Sequence, residues 1–389
     1  MWRGLTCMAA VAALGMASPA AASAAVGSPA GVSPAASAWT VQATSLPAGA
    51  TSGSFNSVSC TSKTSCIALG ASYNGDNPGQ RLAERWNGTA WTIISGGRRP
   101  AGASGVRLYA ISCLSATSCT AVGWYYNNAE TREPLAEHWN GTAWAIRATP
   151  SLAGFTGSEL IAVSCTSDNS CVATGNATDS SDNSAPLAEY WNGTSWTIQP
   201  ALSPVSEDGS AFTAVSCTTP TSCTAVGTYH PGEQEEPFAE YWNGMDWTLQ
   251  SMPGATGGYA AYVGGLSCAS AASCVAVGSY DNQNGAEVGL AEHWNGSTWT
   301  VSHPGGLNSE MNGVSCPSAT SCIVVGQHDL GASTGTYAAH WNGSHWQGQK
   351  TAAPTTGNQL WAISCVTAAT CTAVGGSIDT PQQPLAEHR

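Results

Sequence analysis

The chain has 389 residues, only 9% of them charged, with a formal net charge of −13 and just two lysines, Lys63 and Lys350. So acidic a surface repels polyphosphate, which argues against nucleic acid and anionic membrane surfaces as partners. Fifteen cysteines, less Cys7 near the start, leave an even fourteen, as a disulfide-stabilised exported chain would have.

In chain order, residues 1–24 hold one charge at Arg3, an apolar run over 4–17 and the small residues Ala22, Ser23 and Ala24. That pattern predicts a secretory signal peptide, too short to span a bilayer, so no membrane insertion is expected. Residues 25–37 contain only Ala, Gly, Val, Ser and Pro, a composition that buries no core and predicts a flexible leader. The remainder, 38–389, is one sentence written seven times. Its clearest copy runs Phe212-Thr-Ala-Val-Ser-Cys217, then Ser222-Cys223-Thr-Ala-Val-Gly227, then Phe238-Ala-Glu240-Tyr-Trp242-Asn-Gly244-Met-Asp-Trp247. First cysteines recur every 48 to 53 residues, a period that signals a repeat architecture.

Within each copy, two β-rich runs flank a short polar turn and predict a hairpin. The two cysteines, always with five residues between them, then face each other across it. The expected bridges are Cys60 with Cys66, Cys113 with Cys119, Cys165 with Cys171, Cys217 with Cys223, Cys268 with Cys274, Cys316 with Cys322, and Cys365 with Cys371. Zinc would need four convergent ligands, and no repeat supplies a second cysteine pair or fixed histidines, so no metal and no cofactor is expected. The serine before each first cysteine, Ser59 through Ser364, is read as bonding the turn. A third strand ends in Trp, and Asn-Gly leads into a fourth; both residues tolerate positive φ, so a tight two-residue turn is predicted.

Four strands cannot bury both faces alone, so neighbouring units must cover each other. The last copy stops at Leu385-Ala-Glu-His-Arg389, before a fourth strand, while residues 38–42 read as a fourth strand without predecessors. Joined, they complete a seventh unit and close a ring. The fold class is therefore all-β, a seven-bladed β-propeller with four antiparallel strands per blade, closed by the N-terminal strand. By this motif set, residues 38–389 resemble secreted bacterial seven-bladed β-propellers, a resemblance that implies the fold and names no activity.

Six copies carry a glutamate in the third strand (Glu84, Glu137, Glu189, Glu240, Glu292, Glu387), and thirteen of sixteen tryptophans sit at repeat positions, leaving Trp2, Trp124 and Trp361 outside the pattern. Repetition favours structural roles: glutamates accepting hydrogen bonds, tryptophans packing between blades. A third-strand position filled by His, Arg or Tyr suits an amphipathic side chain rather than a metal ligand. No Gly-x-Ser-x-Gly elbow or phosphate-binding loop occurs.

What varies is the loops from strand two to three and from blade to blade, which share one face. Candidate ligand-binding residues there are Trp124, Tyr125, Tyr126, Asp179, Asp182, Glu233, Glu235, Glu236, Tyr280, Asp281 and Asp329; variable loops on a rigid scaffold carry recognition. The expected function is a secreted, extracellular, monomeric binding module, lectin-like or cell-envelope-binding, for a glycan or other cell-surface ligand. A carbohydrate-active hydrolase or lyase, with no catalytic residue assignable from sequence, and a scaffold for a protein partner are the alternatives.

Overall fold

Every repeat forms a sheet of four strands in chain order, as blade 2 illustrates with Gly105–Ser115, Ser118–Tyr126, Arg132–Trp139 and Trp144–Arg147. The computed structural model describes residues 39–389 except 76–78, 95–96, 98, 153, 205–208, 233, 256, 332, 353–356 and 379–380. The predicted signal peptide and leader lie outside the described residues. Seven such sheets make a seven-bladed β-propeller, and no described residue is helical. Thr40–Gln42 pairs antiparallel with Pro384–His388, in register Thr40↔His388, and so supplies the outer strand of blade 7. The ring closes as the sequence predicts.

Alternation within strands dictates the packing. In the first strand of blade 2, Val106, Leu108 and Ile111 are buried while Arg107, Tyr109 and Ala110 between them are half-buried. Leu108, Leu135, Trp139 and Trp144 of blade 2 pack against Ile67, Leu69 and Ala83 of blade 1. The same two-blade pattern joins Phe55, Leu82 and Trp91 of blade 1 to Val374 and Ala386 of blade 7. Each fully buried Leu or Phe contributes about 1.5–3 kcal/mol, and the part of that burial supplied by the neighbouring blade is lost to an isolated one.

All seven disulfides join the predicted partners, with Cα–Cα distances of 3.9–4.0 Å. Two local expectations need correction. The serine before each first cysteine does not serve its own turn. Its Oγ accepts the backbone N–H of the first cysteine of the next blade, at 2.9–3.0 Å, in all seven positions around the ring. The Asn-Gly turn, in turn, is a four-residue loop rather than a two-residue one: Trp86 pairs with Trp91, and Asn87 N–H donates to Ala90 O at 3.3 Å. Only the glycine has positive φ (94° at Gly88), because Asn87 Oδ1 caps the loop by accepting the N–H groups of Thr89 and Ala90, both at 2.9 Å.

The repeated glutamates are fully buried, and three of the six tie their blade to the preceding linker. Ser45 N–H donates to Glu84 Oε1 at 3.0 Å, Leu202 N–H to Glu240 Oε1 at 3.1 Å, and Ala352 N–H to Glu387 Oε2 at 3.0 Å. Each donor stands six residues after a fourth-strand tryptophan. For Glu189 that position is Pro150, which has no N–H, and neither Glu189 oxygen has a partner among the described residues. The tryptophans join blades too: Trp91 Nε1 donates to Gln42 Oε1 at 2.7 Å and Trp299 Nε1 to Gln250 Oε1 at 3.2 Å.

Candidate functional site: an axial cavity lined by seven bulged residues

The first strand of every blade carries a β-bulge four residues before its first cysteine. In blade 2, Leu108 pairs with Gly123 and Ala110 with Val122, leaving Tyr109 without a cross-strand partner. The bulged residues around the ring are Asn56, Tyr109, Ile161, Thr213, Gly264, Asn312 and Trp361. A bulge re-aims the side chain it carries, and all seven of these line one axial cavity of about 580 Å³, a size that suits a small ligand. The second-strand glycine makes room for the distortion. A Cβ on Gly123 would stand 1.9 Å from the Arg107 carbonyl oxygen, and on Gly326 1.9 Å from that of Glu310.

Equivalent in backbone, the seven positions differ in chemistry: two amides, two aromatics, a hydroxyl, an aliphatic and a glycine. Arg107, Tyr262 and Glu310, two residues earlier in blades 2, 5 and 6, also line the cavity. Tyr109 is held by Trp124, whose Nε1 donates to its hydroxyl at 3.1 Å, and the Arg107 guanidinium lies 5.2 Å over its ring. Asn312 Nδ2 donates to Leu360 O at 3.1 Å, and Thr213 Oγ1 to Val263 O at 2.6 Å. Burial, then the charge of Glu287, raises the Glu310 pKa above the ordinary carboxylate range, opposed by a hydrogen bond from Gln327 Nε2 at 2.6 Å. Burial, then the charges of Glu310 and Glu235, likewise raises the Tyr262 hydroxyl. Among the described residues lining the cavity, Glu310 is the one carboxylate, so the two-carboxylate arrangement of most glycoside hydrolases is not assembled there.

The loop residues singled out from sequence fall in several places. Trp124 and Tyr126 meet edge to face at 4.7 Å and, with Tyr73 and Arg107, line a groove of about 360 Å³ between blades 1 and 2. Arg132 stands 5.0 Å over Trp124 and pairs with Glu159 at 3.1 Å. Tyr125 packs against the cluster between blades 1 and 2, and Tyr280 against that between blades 4 and 5, with its ring 5.7 Å from His303. Asp179 caps its own turn, accepting the N–H groups of Ser181 at 2.7 Å and Asn183 at 3.0 Å; these bonds hold its pKa below the usual range. Asp182 takes up a positive φ of 63° in that turn. Asp329 accepts Gly331 N–H at 2.7 Å, Glu236 accepts the Tyr229 hydroxyl at 2.8 Å, and Glu235 and Glu236 line a separate cleft of about 90 Å³. Asp281 is exposed, and Glu233 lies outside the described residues.

The bulged ring lies in the first strands, outside the variable loops to which the sequence reading assigned recognition. A signal was present: Trp361 falls outside the tryptophan pattern, and the positions four and six before the cysteine change chemical type from copy to copy beside a near-constant aliphatic residue, Ser and Cys.

No family model matches the chain, and no curated protein does. Solved structures do. YCF48 bound to the D1 peptide aligns with a TM-score of 0.53 at 11% identity, over 90% of this chain and 96% of that one. An ulvan lyase of polysaccharide lyase family PL25 aligns at 0.55 and 9%, over 86% and 93%. A protein of unknown function from Dyadobacter fermentans aligns at 0.52 and 10%, over 90% and 97%. Likeness at such identities extends to architecture and not to activity, and the chain is, in fold, a seven-bladed β-propeller.

Proposed function

We propose that this protein is a secreted glycan-binding module whose site is the axial cavity. One observation carries the reading. The seven bulged residues are the same position in seven blades, yet they are chemically unlike one another, whereas the repeated polar side chains, the serines and most of the glutamates, are engaged in holding blades together. Thr213 and Asn312 also donate to the next blade, but a position diversified around an axis, rather than repeated as the serines are, suits recognition of a single asymmetric ligand. Tyr109, Tyr262 and Trp361 offer aromatic faces for the C–H surfaces of a sugar, and Asn56, Asn312 and Thr213 offer polar groups for hydroxyls and acetamido groups. Seven intrablade disulfides suit an oxidising compartment, which fits the signal peptide read from residues 1–24. No described helix is long and apolar enough to cross a membrane.

The test is a glycan array followed by calorimetry on the hits. Trp361→Ala and Tyr262→Ala should each weaken binding about tenfold or more, as loss of an aromatic anchor does, with the melting temperature near that of the parent. Unchanged affinity in both variants would move the site off the axis. Release of reducing sugar from a bound glycan would replace the binding reading with a hydrolytic one.

A further inference from the structure

We propose that the bound glycan carries a carboxylate that sits on the Arg107 guanidinium, and that its chain leaves the cavity along the groove between blades 1 and 2. The inference rests on the glycan-binding reading above and narrows its ligand class. Three independent observations converge on it.

The first is the distribution of charge. The described residues of 79–147 include six arginines and four glutamates, in a chain whose net charge is −13. One sector of an acidic ring is therefore locally basic, and a field of that kind draws an anionic group to one side of the axis.

The second is the state of the arginines in that sector. Arg81 donates to Glu137, and Arg132 pairs with Glu159 at 3.1 Å. Arg107 has no hydrogen bond or ion pair among the described residues; its guanidinium lies over the face of Tyr109. From the adjacent blade and the same cavity, Asn56 Nδ2 is likewise a donor without an acceptor. Two unused donors on neighbouring strands ask for an acceptor with two oxygens, and the planar guanidinium fork matches a carboxylate. Glu310, on blade 6 of the same cavity, disfavours a second carboxylate there. Together they select a chain with widely spaced acidic groups over a dense polyanion.

The third is continuity. Arg107 lines both the axial cavity and the 360 Å³ groove, whose walls include Tyr73, Trp124 and Tyr126. A sugar chain whose acidic residue sits at Arg107 can pack its neutral neighbours in the cavity on one side and along these aromatic faces on the other. Amino sugars that alternate between neutral and carboxylate-bearing units have this composition.

The test is calorimetry on the disulfide-intact protein with two β-1,4 disaccharides, N-acetylglucosaminyl-N-acetylmuramic acid and its neutral analogue N,N′-diacetylchitobiose. The parent should prefer the acidic disaccharide about tenfold, the worth of one charge-assisted pair, and added salt should reduce that preference. Arg107→Gln should bring the preference to about one, and Arg107→Lys should restore part of it, since the charge returns without the fork. Melting temperatures near the parent's confirm that the variants fold. Tyr126→Ala should weaken a tetrasaccharide of the acidic type more than the disaccharide. Equal affinity of the parent for both disaccharides, or a preference that survives Arg107→Gln, overturns the carboxylate while leaving glycan binding in place. Failure of the parent to bind either sugar, with capture of carboxylate-terminated peptides instead, overturns both readings.

Discussion

Ser59 of blade 1 accepts, through its Oγ, the backbone N–H of Cys113 of blade 2 at 3.0 Å, and the same bond recurs from every blade to the next until Ser364 accepts Cys60 N–H and completes the circle. The first strands are thereby stitched to one another near the disulfide hairpins, at the level where the sheets converge on the axis. Ser59→Ala leaves the half-buried Cys113 N–H without its acceptor, at a cost of about 1 kcal/mol, the low end for an unsatisfied donor. Denaturant titration should show the midpoint fall with an unchanged slope. Full retention of stability would mean that water replaces the serine.

Disulfides should map locally. Mass analysis of the unreduced protein is expected to give seven bridges, each within one blade, and replacing Cys113 and Cys119 together with Ala should cost about 2 kcal/mol for so short a loop. A bridge between blades would contradict the pairing.

Glu189 should make stability depend on pH. Burial raises its pKa to about 8, and no donor among the described residues offsets this. Between the unfolded value near 4.5 and about 8, the unfolded chain releases the proton while the folded protein keeps it. The unfolded state thus binds fewer protons, and stability falls as pH rises through that window. Burial acts in the same direction on Glu84, Glu240 and Glu292, each raised to about 7. Glu189→Gln should therefore raise the melting temperature at pH 8 and leave it nearly unchanged at pH 4. Equal shifts at both pH values would show that the carboxyl does not titrate there.

Closure can be tested at the N-terminal strand. Trp39 is buried in the blade-7 cluster, and its Nε1 donates to Gln349 Oε1 at 3.1 Å. Trp39→Ala should cost about 3–5 kcal/mol, and deletion of residues 38–42 should cost more, because it also opens the Pro384–His388 edge. A melting temperature equal to the parent's would mean that this strand closes nothing.

The bulge should be intolerant of a side chain on its partner. Gly123→Ala places a Cβ against the Arg107 carbonyl, and relief by backbone shift costs about 1–3 kcal/mol. Because that carbonyl belongs to Arg107 and Tyr109 follows it on the same strand, affinity for a glycan in the proposed cavity should fall together with stability. A stable variant with full affinity would show that the bulge relaxes freely.

The repeat period, cysteine spacing and truncated final copy were enough to read seven blades, seven local disulfides and closure by residues 38–42, since each depends on spacing along the chain and on the need of every sheet for a neighbour. The burial of Glu84 and its equivalents could be anticipated for the same reason, as a recurring residue serves a recurring contact. Contacts between blades could not be read. Ser59 and Cys113 lie 54 residues apart, and only the angular packing of blade on blade brings Oγ and N–H to 3.0 Å. Nor could the bulge be read from the sequence: it is a two-against-one mismatch between strands, invisible in either strand alone. Asp179 and Asp329, ligand candidates as acids in variable loops, also accept N–H groups of their own turns, a contact that their position in the chain did not announce. The sequence by itself determined the ring, because a repeated local pattern has few ways to bury its faces. Tertiary structure alone assembled the candidate site, because the seven residues around the axis come from strands about fifty residues apart and meet only when the ring is closed.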